Sequence, residues 1–150
     1  MQDASNISCP VSAERINENT ARTAALIAIV IASTGAWLNS YVLFILLAAD
    51  FALRSFTNGN ASPVRFLAKQ IVQLLHIPNK PTDAAPKKFA AGVGFVFCLV
   101  IAIFQLAGLT TAAIVTAGVL LLCALLEGAA GICLGCIVYT FAVLPFIKNK

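Results

Sequence analysis

Residues 24–53 read AALIAIVIASTGAWLNSYVLFILLAADFAL, a run of 30 positions whose one charged side chain is Asp50. A membrane-spanning helix takes about 20 predominantly apolar residues, so one helix over the whole run would overshoot a bilayer. Its middle, Ser33-Thr34-Gly35-Ala36-Trp37-Leu38-Asn39-Ser40, has the small and polar residues of a turn. The run therefore divides into a helical hairpin. One span covers 13–34 with Ser12 as its N-cap, and a second covers 38–56. Trp37 and Tyr41 fall where interfacial aromatic residues belong.

The composition agrees. The chain has 150 residues, 60% of them hydrophobic and 11% charged, with a mean hydropathy of +0.92. Soluble domains carry roughly 45–50% apolar and about 25% charged residues. Too few charges remain to cover a water-facing surface, which excludes a soluble domain, a disordered chain, a coiled coil and a disulfide-stapled secreted fold. The length fits one domain, 1–150. The net charge of +4 reads as membrane topology and not as nucleic-acid affinity.

Working outward, residues 57–62 form a polar turn, and Ser62-Pro63 has the form of an N-cap followed by proline at the first helical position. Val64, Leu67, Ile71, Leu74 and Leu75 then recur at helical spacing, with Arg65, Lys69, Gln70 and Gln73 off that stripe. This predicts an amphipathic helix over 63–75, too short to span, either lying at the membrane surface or packed on its neighbours. Residues 76–88 contain Pro78, Pro81 and Pro86 and read as a loop. A third span covers 87–106 and is stopped by Gly108; a fourth covers 110–131. The apolar tail 137–147 is too short to cross and either continues the fourth span at an angle or lies in the interface. The expected fold is all-α: an integral-membrane four-helix bundle with a short interfacial helix between spans 2 and 3.

All ten Lys and Arg residues fall at the N-terminal end, in or beside the middle loop, or at the C-terminus. The opposite turns, near 34–40 and 107–111, carry none. Basic residues stay on the cytoplasmic side, so the expected topology is multi-pass with both termini cytoplasmic. Residues 2–18 are polar and partly acidic, unlike a cleavable signal.

Five cysteines and two acids within the spans carry what chemistry can be read. Cys98 and Cys123 sit mid-span and read as small apolar residues. Cys133 and Cys136 form a C-x-x-C after the glycine-rich break Gly128-Ala129-Ala130-Gly131. If a helical turn restarts there, Cys133 lies near its N-terminus, where backbone N–H groups and the helix dipole favour a thiolate. Gly131-xxx-Gly135 serves equally as a close helix-packing face. Cys9 precedes the first span on the same side as the C-x-x-C. A zinc site from these three cysteines and His76 lacks any recognised spacing, and His76 reads as an exposed loop residue, so no metal or cofactor is assigned. Asp50 has Arg54 one helical turn on and reads as a structural ion pair. Glu127 either pairs with Arg54 or Arg22 across helices or accepts a proton from Cys133. Glu18 and Arg22 are spaced for an i,i+4 pair. Asn17 reads as capping or as a reach toward the polar cluster.

Several of these stretches resemble the bacterial domain-of-unknown-function 4395 family: Cys9-Pro10-Val11 followed by Asn17 and Asn19; Asp50-Phe51-Ala52-Leu53-Arg54; Pro86-Lys87-Lys88-Phe89-Ala90; and above all Glu127-Gly128-Ala129-Ala130-Gly131-Ile132-Cys133-Leu134-Gly135-Cys136-Ile137-Val138-Tyr139. The resemblance implies a small integral-membrane protein, fused to or encoded beside thioredoxin-like and rhodanese-like sulfur-transfer proteins in some genomes. By that association it implies thiol or sulfane-sulfur chemistry.

The expected function is thiol redox or sulfane-sulfur handling at the cytoplasmic membrane edge. Cys133 is the attacking thiolate, Cys136 the resolving thiol, Cys9 a third relay thiol and Glu127 the group that tunes protonation. The partners expected are the lipid bilayer and a soluble thioredoxin-like or rhodanese-like protein, with no nucleic acid. A transporter subunit for a small sulfur-containing solute or anion, working as a homodimer, and a non-catalytic membrane assembly protein are the alternatives.

Overall fold

The computed structural model describes residues 15–57, 61–130, 137–143 and 145–146. Ser12 and Cys9, the pair Cys133 and Cys136, and the terminal lysines lie outside the described residues. Of the described residues, 84% are helical. Five helices follow in order: α1 (Glu18–Trp37), α2 (Tyr41–Phe56), α3 (Pro63–Leu74), α4 (Ala84–Leu106) and α5 (Thr110–Leu125). A π-helical turn, Leu126–Ala130, continues α5, and a second, Tyr139–Val143, lies in the tail.

Two strands were not expected. β1 (Arg15–Asn17) pairs antiparallel with β2 (Pro81–Asp83), in the register Arg15↔Asp83, Ile16↔Thr82 and Asn17↔Pro81. The first helix therefore starts at Glu18 and not at residue 13. Asn17 caps it, its side chain accepting from the Asn19 N–H at 3.0 Å, which satisfies a donor that a helix start leaves open. The strand pair ties the entrance of α1 to the loop before α4, and Glu18 N donates to the Lys80 carbonyl at 2.8 Å.

The turn inside the opening run is also shorter than its composition suggests. Ser33 and Thr34 stay helical, returning their hydroxyls to the carbonyls of Ile29 and Val30. The chain reverses only over Leu38-Asn39-Ser40, with Asn39 at φ 50°, a left-handed value that asparagine tolerates better than most residues. Gly35 stays in α1 because its missing side chain makes room: a Cβ there would lie 3.1 Å from the Phe44 ring. At the other hairpin Gly108 takes φ 76° and Thr110 opens α5. α4 begins at Ala84, so Pro86 falls in its first turn, where a missing N–H costs nothing. The fourth span keeps regular α geometry only to Leu125, not to residue 131.

The packing is sorted by size. Residues buried between helices are mostly small: Ala24, Ala28 and Ala32 on α1, Ala91, Gly94 and Ala102 on α4, Ala113 and Ala117 on α5. Phe44, Leu47 and Ile101 fill the centre. The large aliphatic residues Val30, Leu46, Ile103, Val115 and Leu122 face outward. Small residues let backbones approach where lipid, not water, surrounds the bundle. An outward skin of Leu, Val and Ile does not suit a water-soluble monomer. Among the described residues, three segments, Glu18–Trp37, Ala84–Leu106 and Thr110–Ala129, are long and apolar enough to cross a membrane. α2 has 16 residues and at 1.5 Å per residue reaches about 24 Å, short of the ~30 Å hydrocarbon core.

Candidate functional site

Charged side chains gather at the end of the bundle where α1 and α4 begin, α2 ends and α5 runs into its π turn. Asp50, 3% exposed, is the most deeply placed of them. Its Oδ2 meets Arg54 Nη2 at 2.6 Å. Its Oδ1 accepts from Ser62 Oγ at 2.5 Å and from the Val64 N–H at 3.1 Å. Ser62 in turn accepts from Arg65 N and from Arg54 Nε. One carboxylate thus neutralises a cation on its own helix and receives the open Val64 N–H at the start of α3, where negative charge is favoured. The Arg54 guanidinium also lies over the Phe51 ring, 5.1 Å from its centroid, in the range of a cation–π contact.

A second ion pair joins the other hairpin. Lys87 Nζ lies 2.9 Å from Glu127 Oε1. Glu127 therefore pairs within the α4–α5 hairpin, with a lysine the sequence reading had not considered. Arg22 instead donates to the carbonyls of Gly128 and Ala129, at 3.3 and 2.8 Å. These belong to the turn where regular α hydrogen bonding gives out, and a cation there also suits the helix dipole. Gly128 permits the approach, since a Cβ would come within 2.9 Å of the Leu26 side chain. Glu18 likewise does not pair with Arg22; it reaches Lys80 at 3.3 Å.

Between these pairs lies a cavity of about 80 Å³, walled by Arg54, Arg65, Lys87, Lys88 and Glu127, with Phe51 and Asn17 beside them. An apolar crevice of about 240 Å³ shares Phe51, Ala90 and Glu127 with it and continues between α4 and α5 past Gly94 and Cys123. Cys123 is thus one helical turn from Glu127 and on the same crevice, a placement its mid-span position did not suggest. Cys98 is fully buried in the core. Cys98 is a free thiol. His76 is exposed at φ 53°, just beyond α3. Beyond the C-x-x-C, Tyr139 returns to α4, its ring centroid 5.6 Å from that of Phe89.

Lys87 and Glu127 are both partly buried, at 11% and 22% exposure. Removing the cation alone strands the carboxylate. Lys87→Met is expected to cost about 1–2 kcal/mol, and Lys87→Met with Glu127→Gln to recover most of it. Thermal unfolding in detergent checks both; a double variant no more stable than Lys87→Met would contradict this account of the pair.

No curated protein and no solved structure matches the chain. A family model does match, over residues 16–143, which takes in β1 from Ile16, all five helices and the second π turn. The chain accordingly belongs to the family described as Domain of unknown function (DUF4395).

Proposed function

We propose that the protein is a multi-pass protein of the bacterial inner membrane, both termini cytoplasmic, that handles thiol redox or sulfane sulfur at its charged end. α1, α2, α4 and α5 make the four spans. α2 is short, and Arg54 in its last turn is held inside the bundle by Asp50 and Ser62. α3 lies in the interface. It buries Val64, Ala68 and Val72, Val64 and Ala68 against Ala24 of α1, and leaves Leu67, Ile71 and Leu74 facing outward on the neighbouring stripe, which suits contact with acyl chains.

The observation that carries the thiol reading is the anchoring on either side of the C-x-x-C. Before it, Glu127 is held by Lys87; after it, Tyr139 is held against Phe89. Both anchors stand in the first two turns of α4. Cys133 is six residues from each anchor, so chain length keeps it within about 20 Å of the charged end. In the proposed step the Cys133 thiolate attacks a disulfide of a soluble thioredoxin-like partner. A mixed disulfide forms and one partner thiolate leaves. Cys136 then attacks the Cys133 sulfur and releases the second partner thiolate. The pair ends oxidised and the partner reduced, by two electrons. With a rhodanese-like partner, Cys133 instead accepts the sulfane sulfur of a persulfide and the partner leaves as a thiolate. Cys9 supplies a third thiol, and Glu127 with Lys87 sets the local charge.

Redox-dependent alkylation in native membranes tests this. Cys133 and Cys136 are expected to become protected together under a mild disulfide oxidant and to be recovered by a dithiol, while Cys98 does not change. Full alkylation of both under every oxidant and partner tried would overturn the reading.

The cation-lined cavity favours a second reading, a transporter subunit for a small sulfur-containing anion. There Arg54→Ala abolishes uptake and Cys133→Ser does not.

A further inference from the structure

The apolar crevice between α4 and α5 is built from two matching stripes. α4 supplies Ala90, Val93, Gly94 and Phe97. α5 and its π turn supply Leu120, Cys123, Ala124 and Glu127. Each set is spaced i, i+3, i+4, i+7, one helical face over about 10 Å of axis. Phe51 of α2 closes the back, its ring 3.1 Å from where a Gly94 Cβ would stand. Facing stripes of packed helices ordinarily interlock. Near Gly108 these two helices do: Ile101 and Ala102 of α4 share one buried core with Ala113 and Ala117 of α5. Toward the charged end they part, and about 240 Å³ opens between them.

The lining and depth of the crevice select its occupant. Among the described residues that line it, Glu127 alone carries a charge, and Lys87 meets that charge at 2.9 Å. The others are apolar or small. An apolar cavity of roughly 150 Å³ stays dry and takes up benzene, so water is a poor occupant. A polypeptide is a poor one too. A helix about 10–12 Å across does not fit this volume, and an extended segment would leave N–H and C=O groups unmet at hydrocarbon depth. A hydrocarbon chain fits, and it supplies the dispersion partners that the facing stripes do not give each other. Gly94 and Leu120 form a buried floor, while Val93 and Val138, which also line the crevice, are exposed and mark its mouth.

We propose that this crevice holds one acyl chain of a bilayer phospholipid, with the headgroup at the Lys87–Glu127 end. The order of polarity along the crevice is that of the lipid. Charge lies where α4 begins, and apolar residues continue from there into the spans. A phospholipid of the same leaflet already has this orientation, so its chain enters sideways past Val93 without leaving the bilayer. Ala90, Gly94 and Ala124 keep the space open by being small. The site needs the membrane placement proposed above and does not need the thiol chemistry.

The test uses the full-length protein in nanodiscs of phosphatidylcholine that carries a diazirine in one acyl chain. One sample is illuminated in the bilayer. A second is illuminated after exchange into dodecyl maltoside, which strips loosely held lipid. Peptide mass spectrometry then locates the adducts. In the bilayer, the outward residues Val115 and Leu122 are expected to be labelled together with the crevice. After exchange, one lipid per chain is expected to remain, attached at Val93, Phe97 or Cys123. Ala124→Phe fills the crevice and should lose that adduct while keeping the outward labelling in the bilayer, which shows that the variant is folded there. Ala90→Leu fills it from the facing helix and guards against a folding defect in the first variant. Adducts after exchange that fall on the outward face as often as in the crevice, or crevice adducts that both filled variants keep, overturn the proposal. So does removal of the crevice adduct by equimolar geranylgeraniol, which makes the occupant an isoprenoid chain. No labelling of Val115 and Leu122 in the bilayer overturns the membrane placement and the site with it.

Discussion

Asp50→Ala is expected to cost about 3–5 kcal/mol, the usual cost of removing one member of a buried ion pair. The loss is large because one carboxylate serves three donors: Arg54 Nη2, Ser62 Oγ and the Val64 N–H. Without it the guanidinium keeps a bond to Ser62 Oγ and the Phe51 ring face, and the Val64 N–H at the start of α3 loses its acceptor. The partner substitution separates charge from packing. Asp50→Ala with Arg54→Leu should be markedly more stable than Asp50→Ala alone, since a buried ion pair replaced by apolar groups is often neutral. Equilibrium unfolding in mixed detergent micelles measures the three proteins. Equal losses for the single and double variants would show that the pair is not what holds this end together.

The second large effect is in the core. Phe44 is fully buried and its ring lies against Gly35, where the opening hairpin turns back on itself. Phe44→Ala leaves a void at the centre of the contacts among α1, α2 and α4. In a bilayer the transfer term is small because lipid is as apolar as the site. The remaining packing loss is expected to be about 2–4 kcal/mol, somewhat below the range for soluble cores. Phe44→Leu should recover part of it. The same unfolding assay reads this out, and a Phe44→Ala protein as stable as wild type would contradict the packing described.

Local chemistry was what the sequence made readable. Ser62-Pro63 marks the start of α3 because an N-cap and a first-turn proline act within one turn, and Gly108 marks the end of α4 because a left-handed backbone there favours glycine. The small residues of Ser33-Thr34-Gly35 misled for the opposite reason. Their composition is that of a turn, but hydroxyl bonds to preceding carbonyls and the fit of Phe44 on Gly35 keep them helical. The strand pair Arg15–Asn17 with Pro81–Asp83 was invisible. Three residues give no period, and their pairing depends on how the hairpins pack. Lys87 with Glu127 could have been found. The two stand at nearly equal distances from Gly108 in an antiparallel hairpin, which brings them level. The cavity itself could not, because it needs Arg54 from one hairpin and Lys87 from the other.

The central claim is that the charged end of the bundle faces the cytoplasm and carries the working thiols there. A membrane-impermeant maleimide applied to intact spheroplasts and to inside-out vesicles tests it most directly, in a protein whose Cys9, Cys98 and Cys123 are replaced by alanine. The account predicts labelling of Cys133 and Cys136 in the vesicles, none in spheroplasts, and loss of the vesicle labelling on oxidation. Labelling from the periplasmic side, or labelling in the vesicles that oxidation leaves unchanged, would contradict it.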